Sequence, residues 1–120
     1  MGLLARTAPL AYIGCVLIIE TPIFTRHIRH LLSDERYRAV QKQVVARPDV
    51  GDVIPGSGGL RKLRWAMTGH GMRGGLRIIY YWARAADQIL MLFVYPKPQR
   101  EDLTPAQLKQ LKRIVDEEYR

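Results

Sequence analysis

Two β-dense runs separated by three residues, 76–85 and 89–95, restrict this chain more than any other feature. The first, LRIIYYWARA, is rich in β-branched and aromatic side chains, and the second, ILMLFVY, is almost wholly apolar. Each is too short for a buried helix, and turn residues separate them, so they read as strands. An unbroken apolar run suits the centre of a sheet covered on both faces. Ala86, Asp87 and Gln88 then make a tight turn, and the pair is a hairpin. A chain of 120 residues, 48% of them hydrophobic, can bury one such sheet in a single domain.

The other elements follow from local chemistry. Residues 60–67 read as a strand, joined to the hairpin by the glycine-dense turn TGHGMRGG at 68–75. Residues 16–20 form a first strand. Thr21 then caps a short helix with Pro22 at its first position and Phe24, Ile28 and Leu31 on one face. Ser33 caps a second helix that opens on Asp34 and Glu35, buries Tyr37, Val40 and Val44, and is stopped by Pro48. Residues 49–59, DVGDVIPGSGG, are a loop. The last helix carries its own start signal: Thr104 as N-cap, Pro105 at N1, Gln107 at N3, and Leu103 and Leu108 as a hydrophobic staple. The order is β-α-α-β-β-β-α, an α+β domain over residues 16–120 preceded by a tail, 1–15, of no evident role.

Residues 8–19 hold no charge after Arg6, but the run is too short to span a bilayer and lacks an A-x-A-like site before Glu20. Secretion and membrane insertion are therefore not expected. The single cysteine, Cys15, permits no intramolecular disulfide and no cysteine-rich zinc pattern, which fits a reducing cytoplasm.

The net charge of +8 is unevenly spread. Residues 1–52 hold seven basic and five acidic side chains, 53–86 hold six basic and no acidic ones, and 87–120 hold six of each. An acid-free basic block inside a domain reads as a footprint for phosphates. Strand alternation puts Lys62 and Arg64 on one face, opposite the bulky set Arg61, Leu63 and Trp65. By the same arithmetic Arg77 and Tyr81 share a face of the next strand, and Arg73 hangs from the turn between. Converging cations repel one another until an anion arrives, and arginine meets phosphate oxygens with bidentate hydrogen bonds.

Other motifs carry less. Gly69, Gly71 and Gly74 spell G-x-G-x-x-G, but they precede a strand instead of opening a helix, so no dinucleotide site is read from them. His27 and His30 are spaced as a metal pair without a nameable third ligand, and no metal is predicted. His70, in the glycine turn beside the basic cluster, can donate a proton near neutral pH. Tyr80, Tyr81, Trp82 and Tyr95 are core by default, and any that reach the open face can stack on a base.

Four segments together, GSGGLRKLRW, GHGMRGGLRIIYYW, the strand ending VYPK, and EDLTPAQLKQL, resemble the RelE/HigB-type toxins of bacterial type II toxin-antitoxin pairs, over about residues 18–119. The resemblance implies an antiparallel sheet with helices on one face. It also implies an mRNA endoribonuclease that needs no metal or other cofactor, acts at the ribosomal A site, and blocks translation and growth. The implied partners are mRNA, the ribosome and a cognate antitoxin, often one with a helix-turn-helix DNA-binding domain.

By the same resemblance the catalytic cations fall on Lys62, Arg64, Arg73, Arg77 and Lys97. Lys62 would help deprotonate the ribose 2′-OH, and the arginines would stabilise the phosphate as it becomes five-coordinate. Pro98 and Thr104 stand where some members have an arginine and a tyrosine, so Tyr95, His70 and Lys97 remain alternatives for the general acid. A rival reading keeps the fold without nuclease activity: a toxin that binds and poisons a protein such as DNA gyrase, which has no need of a cationic strand face. An acidic antitoxin segment over that face would make the neutralising interaction steeply salt-dependent.

Overall fold

The computed structural model describes residues 12–13, 16–67, 71–97 and 102–120, with the side chains of 12–13 and 71–74 excepted. Strands β1 (Tyr12–Ile13) and β2 (Val16–Glu20) lead into helices α1 (Pro22–Leu31) and α2 (Asp34–Ala46). Strands β3 (Asp52–Val53), β4 (Arg61–Met67), β5 (Gly71–Ala83) and β6 (Gln88–Pro96) follow, and helix α3 (Pro105–Tyr119) ends the chain. The six strands form one sheet in the order β1-β2-β6-β5-β4-β3.

The expected α+β order holds, and the helix starts form as their caps dictate. The hydroxyls of Thr21, Ser33 and Thr104 each accept from the backbone N–H three residues on, and Gln107 completes the capping box by accepting from the Thr104 N–H. Five details differ from the sequence reading. The sheet is mixed, because β2 runs parallel to β6 while all other neighbours are antiparallel. Two residues of the 49–59 loop pair with β4 as β3. Strand β5 starts at Gly71, where Gly71 pairs with Met67, so backbone pairing extends glycines that sequence alone assigns to the turn. Finally, a short 3-10 turn at Arg84–Ala86 and a left-handed Asp87 (φ 54°) make the β5–β6 connection, and Gln88 joins the strand. Within the stretch read as a tail, Tyr12 and Ile13 add the edge strand β1.

Alternation along the central strands sorts the core into two layers. Ile78 and Tyr80 of β5, with Ile89 and Met91 of β6, pack under α1 and α2 through Phe24, Ile28, Val40 and Val44. This is the helix-covered face that the expected architecture calls for. The alternate residues, Ile79, Leu90 and Leu92, meet Leu111 and Val115 of α3. Because β2 ends at Glu20, the far half of β6 is flanked by α1: the Thr21 N–H donates to the Met91 carbonyl (3.0 Å) and its hydroxyl to that of Leu92 (2.8 Å). Among the described residues no helix is long and apolar enough to cross a membrane.

Candidate active site

The register of the three longest strands assembles the cluster. Lys62 faces Ile79, Arg64 faces Arg77, and Arg77 faces Tyr95, so Arg64, Arg77 and Tyr95 form one row across β4, β5 and β6. Lys62 lies one pleat further along β4 on the same side. Their chain neighbours Leu63, Ile78 and Val94 belong to the α1–α2 layer, which turns this row toward the α3 side. Like charges directly opposite destabilise a sheet, and Arg64 with Arg77 is such a pair.

The three cations are not equally accessible. Arg77 is only 4% exposed, and its guanidinium donates to the Leu76 carbonyl at 3.3 Å; among the described residues no carboxylate forms an ion pair with it. Lys62 and Arg64 do have carboxylates. The Lys62 ammonium donates to Asp102 at 2.7 Å and the Arg64 guanidinium to Asp52 at 2.9 Å. The acid-free block of the sequence is thus not acid-free in space: Asp52 lies one residue before it and Asp102 arrives from the segment leading into α3. The hydrogen bond from Lys62 and its positive charge, with Arg64 and Arg77 behind it, hold the Asp102 carboxyl below the usual carboxylate range.

Lys62 and Arg64 line a cleft of about 320 Å³ together with Asp52, Asp102, Tyr95 and Ile79, whereas buried Arg77 is not among the lining residues. Val53, Ile54 and Pro55 form one wall, and Leu103 and Leu108 form the other. The first wall is fixed from the opposite layer of the core. The hydroxyl of buried Tyr80 donates to the Pro48 carbonyl (2.6 Å) and accepts from the Gly51 N–H (2.9 Å). A β-carbon on Gly51 would come within 2.9 Å of the Tyr80 ring and 3.1 Å of the Lys62 backbone, so only glycine lets β3 approach this closely. Arg61 adds a hydrogen bond to the Gly51 carbonyl (2.8 Å). Beyond β3 the buried Ser57 ties the loop: its hydroxyl donates to the Ile54 carbonyl (2.5 Å) and accepts from the Leu60 N–H (2.9 Å). The second wall follows from the α3 cap, since Leu103 and Leu108, the staple residues, pack on the α3-side core.

The remaining candidates fall elsewhere. Tyr81 is on the same side of β5 but at the far end of α3, between the Tyr119 ring (5.7 Å) and the Arg120 guanidinium (5.4 Å), and does not line the cleft. Lys97 is half-buried just past β6 and is not among the lining residues. The Arg73 side chain and the whole of His70 lie outside the described residues. Sequence reasoning missed Asp52 and Asp102. The only available signal was their position, Asp52 at the border of the basic block and Asp102 beside the staple.

A cleft lined by two ion-paired cations, with a third buried in the strand beside it, is a concentration of positive charge that suits an anion. A family model for the RelE toxin of the RelE / RelB toxin-antitoxin system matches residues 18–119 of this chain. The match takes in every described element from α1 to α3, and with it a cognate antitoxin as partner. The chain belongs to the RelE toxin family.

Proposed function

We propose that this toxin is an endoribonuclease that cleaves mRNA in the ribosomal A site and so stops translation. The observation that carries the reading is the row of Arg64 and Arg77 with Lys62 beside it: Lys62 and Arg64 line one cleft, and Arg77, buried in the strand alongside, forms no ion pair with a carboxylate among the described residues. A scissile phosphate entering the cleft displaces Asp102 and Asp52 from Lys62 and Arg64. The ribose 2′-oxygen then attacks phosphorus and gives its proton to the base, the role read for Lys62 once its ammonium has released a proton to solvent and stands as the neutral amine. The bond to the 5′-oxygen breaks, and that oxygen takes a proton from the acid. Negative charge grows on the phosphate oxygens between Arg64, Arg77 and, by its place in the sequence, Arg73. Fixed cations aimed at that charge lower the barrier without reorganising. Of the two candidate acids among the described residues, Tyr95 and Lys97, Tyr95 lines the cleft. An acidic antitoxin segment laid over the same cleft would silence it by occlusion and charge.

The test is to induce the wild type and an Arg64→Ala/Arg77→Ala variant in growing bacteria and to map mRNA 5′ ends within minutes. Codon-phased cuts inside reading frames, absent in the variant, are expected. Growth arrest with intact mRNA would overturn the reading and turn attention to a protein target such as gyrase.

A further inference from the structure

The cleft is not the molecule's only cationic surface. Helix α1 carries Arg26, Arg29 and His30, all exposed, along one stripe, and residues 22–31 contain no acidic side chain. The spacing of three and four puts Arg26, Arg29 and His30 side by side, and together with Pro22 and Thr25 they line one shallow concavity. Of the carboxylates that flank α1 in sequence, Glu20 is buried and committed to the hydroxyls of Thr25 and Tyr37 (2.5 Å each), while Asp34 and Glu35 open α2. Among the described residues no ion pair involves Arg26 or Arg29.

A row of rings connects this stripe to the cleft. Tyr95, which lines the cleft, stands 5.8 Å from Phe93, and Phe93 stands 5.9 Å from His27 of α1. Phe93 and His27 are each half-buried, so part of each ring faces solvent. His27 lies one turn from Ile23, whose side chain is exposed (38%) although apolar, and from His30 of the cationic stripe. Cations alternating with partly open rings are what a single strand of nucleic acid needs: charge for its phosphates and flat faces for its bases. An acidic protein segment would use the charge but gives no reason for the ring row.

We propose that α1 and β6 form a second RNA subsite, in which bases flanking the scissile phosphate stack on Phe93 and His27 and the next phosphates rest on Arg26, Arg29 and His30. The inference rests on the reading of the cleft as an RNA site and extends it along the strand. The experiment uses end-labelled 2′-O-methyl RNA, which lacks the attacking hydroxyl, as a trinucleotide and as a nonanucleotide, with affinity read by fluorescence anisotropy over a salt series. Wild type is expected to hold the nonanucleotide about a hundredfold tighter than the trinucleotide, the two bases stacked on Phe93 and His27 each adding about tenfold. Arg26→Ala/Arg29→Ala removes most of that gain and lowers the salt slope by about 1.4, the value for two phosphates of a single strand. Phe93→Leu, which keeps the bulk and removes the ring, weakens only the longer RNA. Arg64→Ala weakens both lengths alike.

If the α1 variant binds both lengths as wild type does while Arg64→Ala weakens both, the second subsite is refuted and the cleft reading stands. If Arg64→Ala also changes nothing, the cleft reading fails and takes the subsite with it. An α1 variant that holds RNA normally but loses affinity for the antitoxin marks the face as a protein interface and overturns the proposal.

Discussion

The two sides of the sheet are made from the same strands and do opposite things. Under α1 and α2 the layer is closed and apolar: Phe24, Ile78, Tyr80, Ile89 and Met91 are each fully buried. Under α3 Leu111 and Val115 pack with Leu90 and Leu92, and the same side also holds a cleft lined by Lys62, Arg64 and Tyr95, with Arg77 buried next to Arg64. One residue of alternation separates the two environments, Ile78 from Arg77 and Leu63 from Arg64. Stability is concentrated on one side so that the other can hold cations that repel each other, the usual relation between a rigid scaffold and a strained site.

The comparison is most exposed to change on the closed side. Phe24→Ala is expected to lower stability by about 3–5 kcal/mol in urea unfolding, a large share of what a domain this size possesses. A loss below about 1 kcal/mol would mean that the layer is loosely packed. Tyr80→Phe tests the link between the sides. Removing the hydroxyl leaves the buried Gly51 N–H unsatisfied and is expected to cost about 1–3 kcal/mol, with slower RNA cleavage because β3 and Asp52 are no longer held.

The open side is expected to behave in the reverse sense. Arg77→Met removes a buried charge and keeps its volume, so stability should stay within about 1 kcal/mol of wild type or rise, while RNA cleavage falls about a hundredfold or more. A variant that unfolds yet cleaves would invert the comparison. Asp102→Asn takes the counterion from Lys62, and affinity for short RNA should rise a few-fold at low salt and converge with wild type at high salt. Acid should mimic it. The Asp102 pKa is lowered by folding, so its ion pair stabilises above the ordinary carboxylate range and is lost as pH falls through the lowered value.

At the alkaline end the sign runs the other way. Burial first, then the charges of Glu118 and Tyr81, raise Tyr119 to about 12, and its hydroxyl donates to Gln88 at 2.8 Å. Between the ordinary tyrosine value near 10 and about 12 the unfolded chain has lost a proton that the folded one keeps. Stability should therefore decline across that window, and Tyr119→Phe should flatten the decline in denaturation curves taken at successive pH values.

Much of this was legible beforehand because it is local. Thr21 with Pro22, Ser33, and Thr104 with Gln107 fix three helix starts through groups only three residues apart, and alternation alone put Lys62 with Arg64 on one face of their strand, to which the β4–β5 register adds Arg77. What was not legible depends on distant pairing. Glycines 71, 74 and 75 look like a turn until Met67 pairs with Gly71. The parallel β2–β6 contact joins residues about seventy positions apart, and neither strand announces its direction. The acid-free block looked unopposed because Asp102 reaches Lys62 from forty residues away, through a loop and a cap whose geometry no window of sequence contains.

The Tyr80 hydroxyl has a genetic consequence. A screen that selects bacteria surviving induction of this toxin will collect substitutions at Tyr80 and Gly51 together with those at Arg64 and Arg77, although neither Tyr80 nor Gly51 lines the cleft. A map drawn from survivors alone would thus outline a region larger than the cleft itself. Sorting the alleles by whether soluble toxin still accumulates, and still pairs with its antitoxin, would divide that outline into the residues that act and the residues that hold them in place.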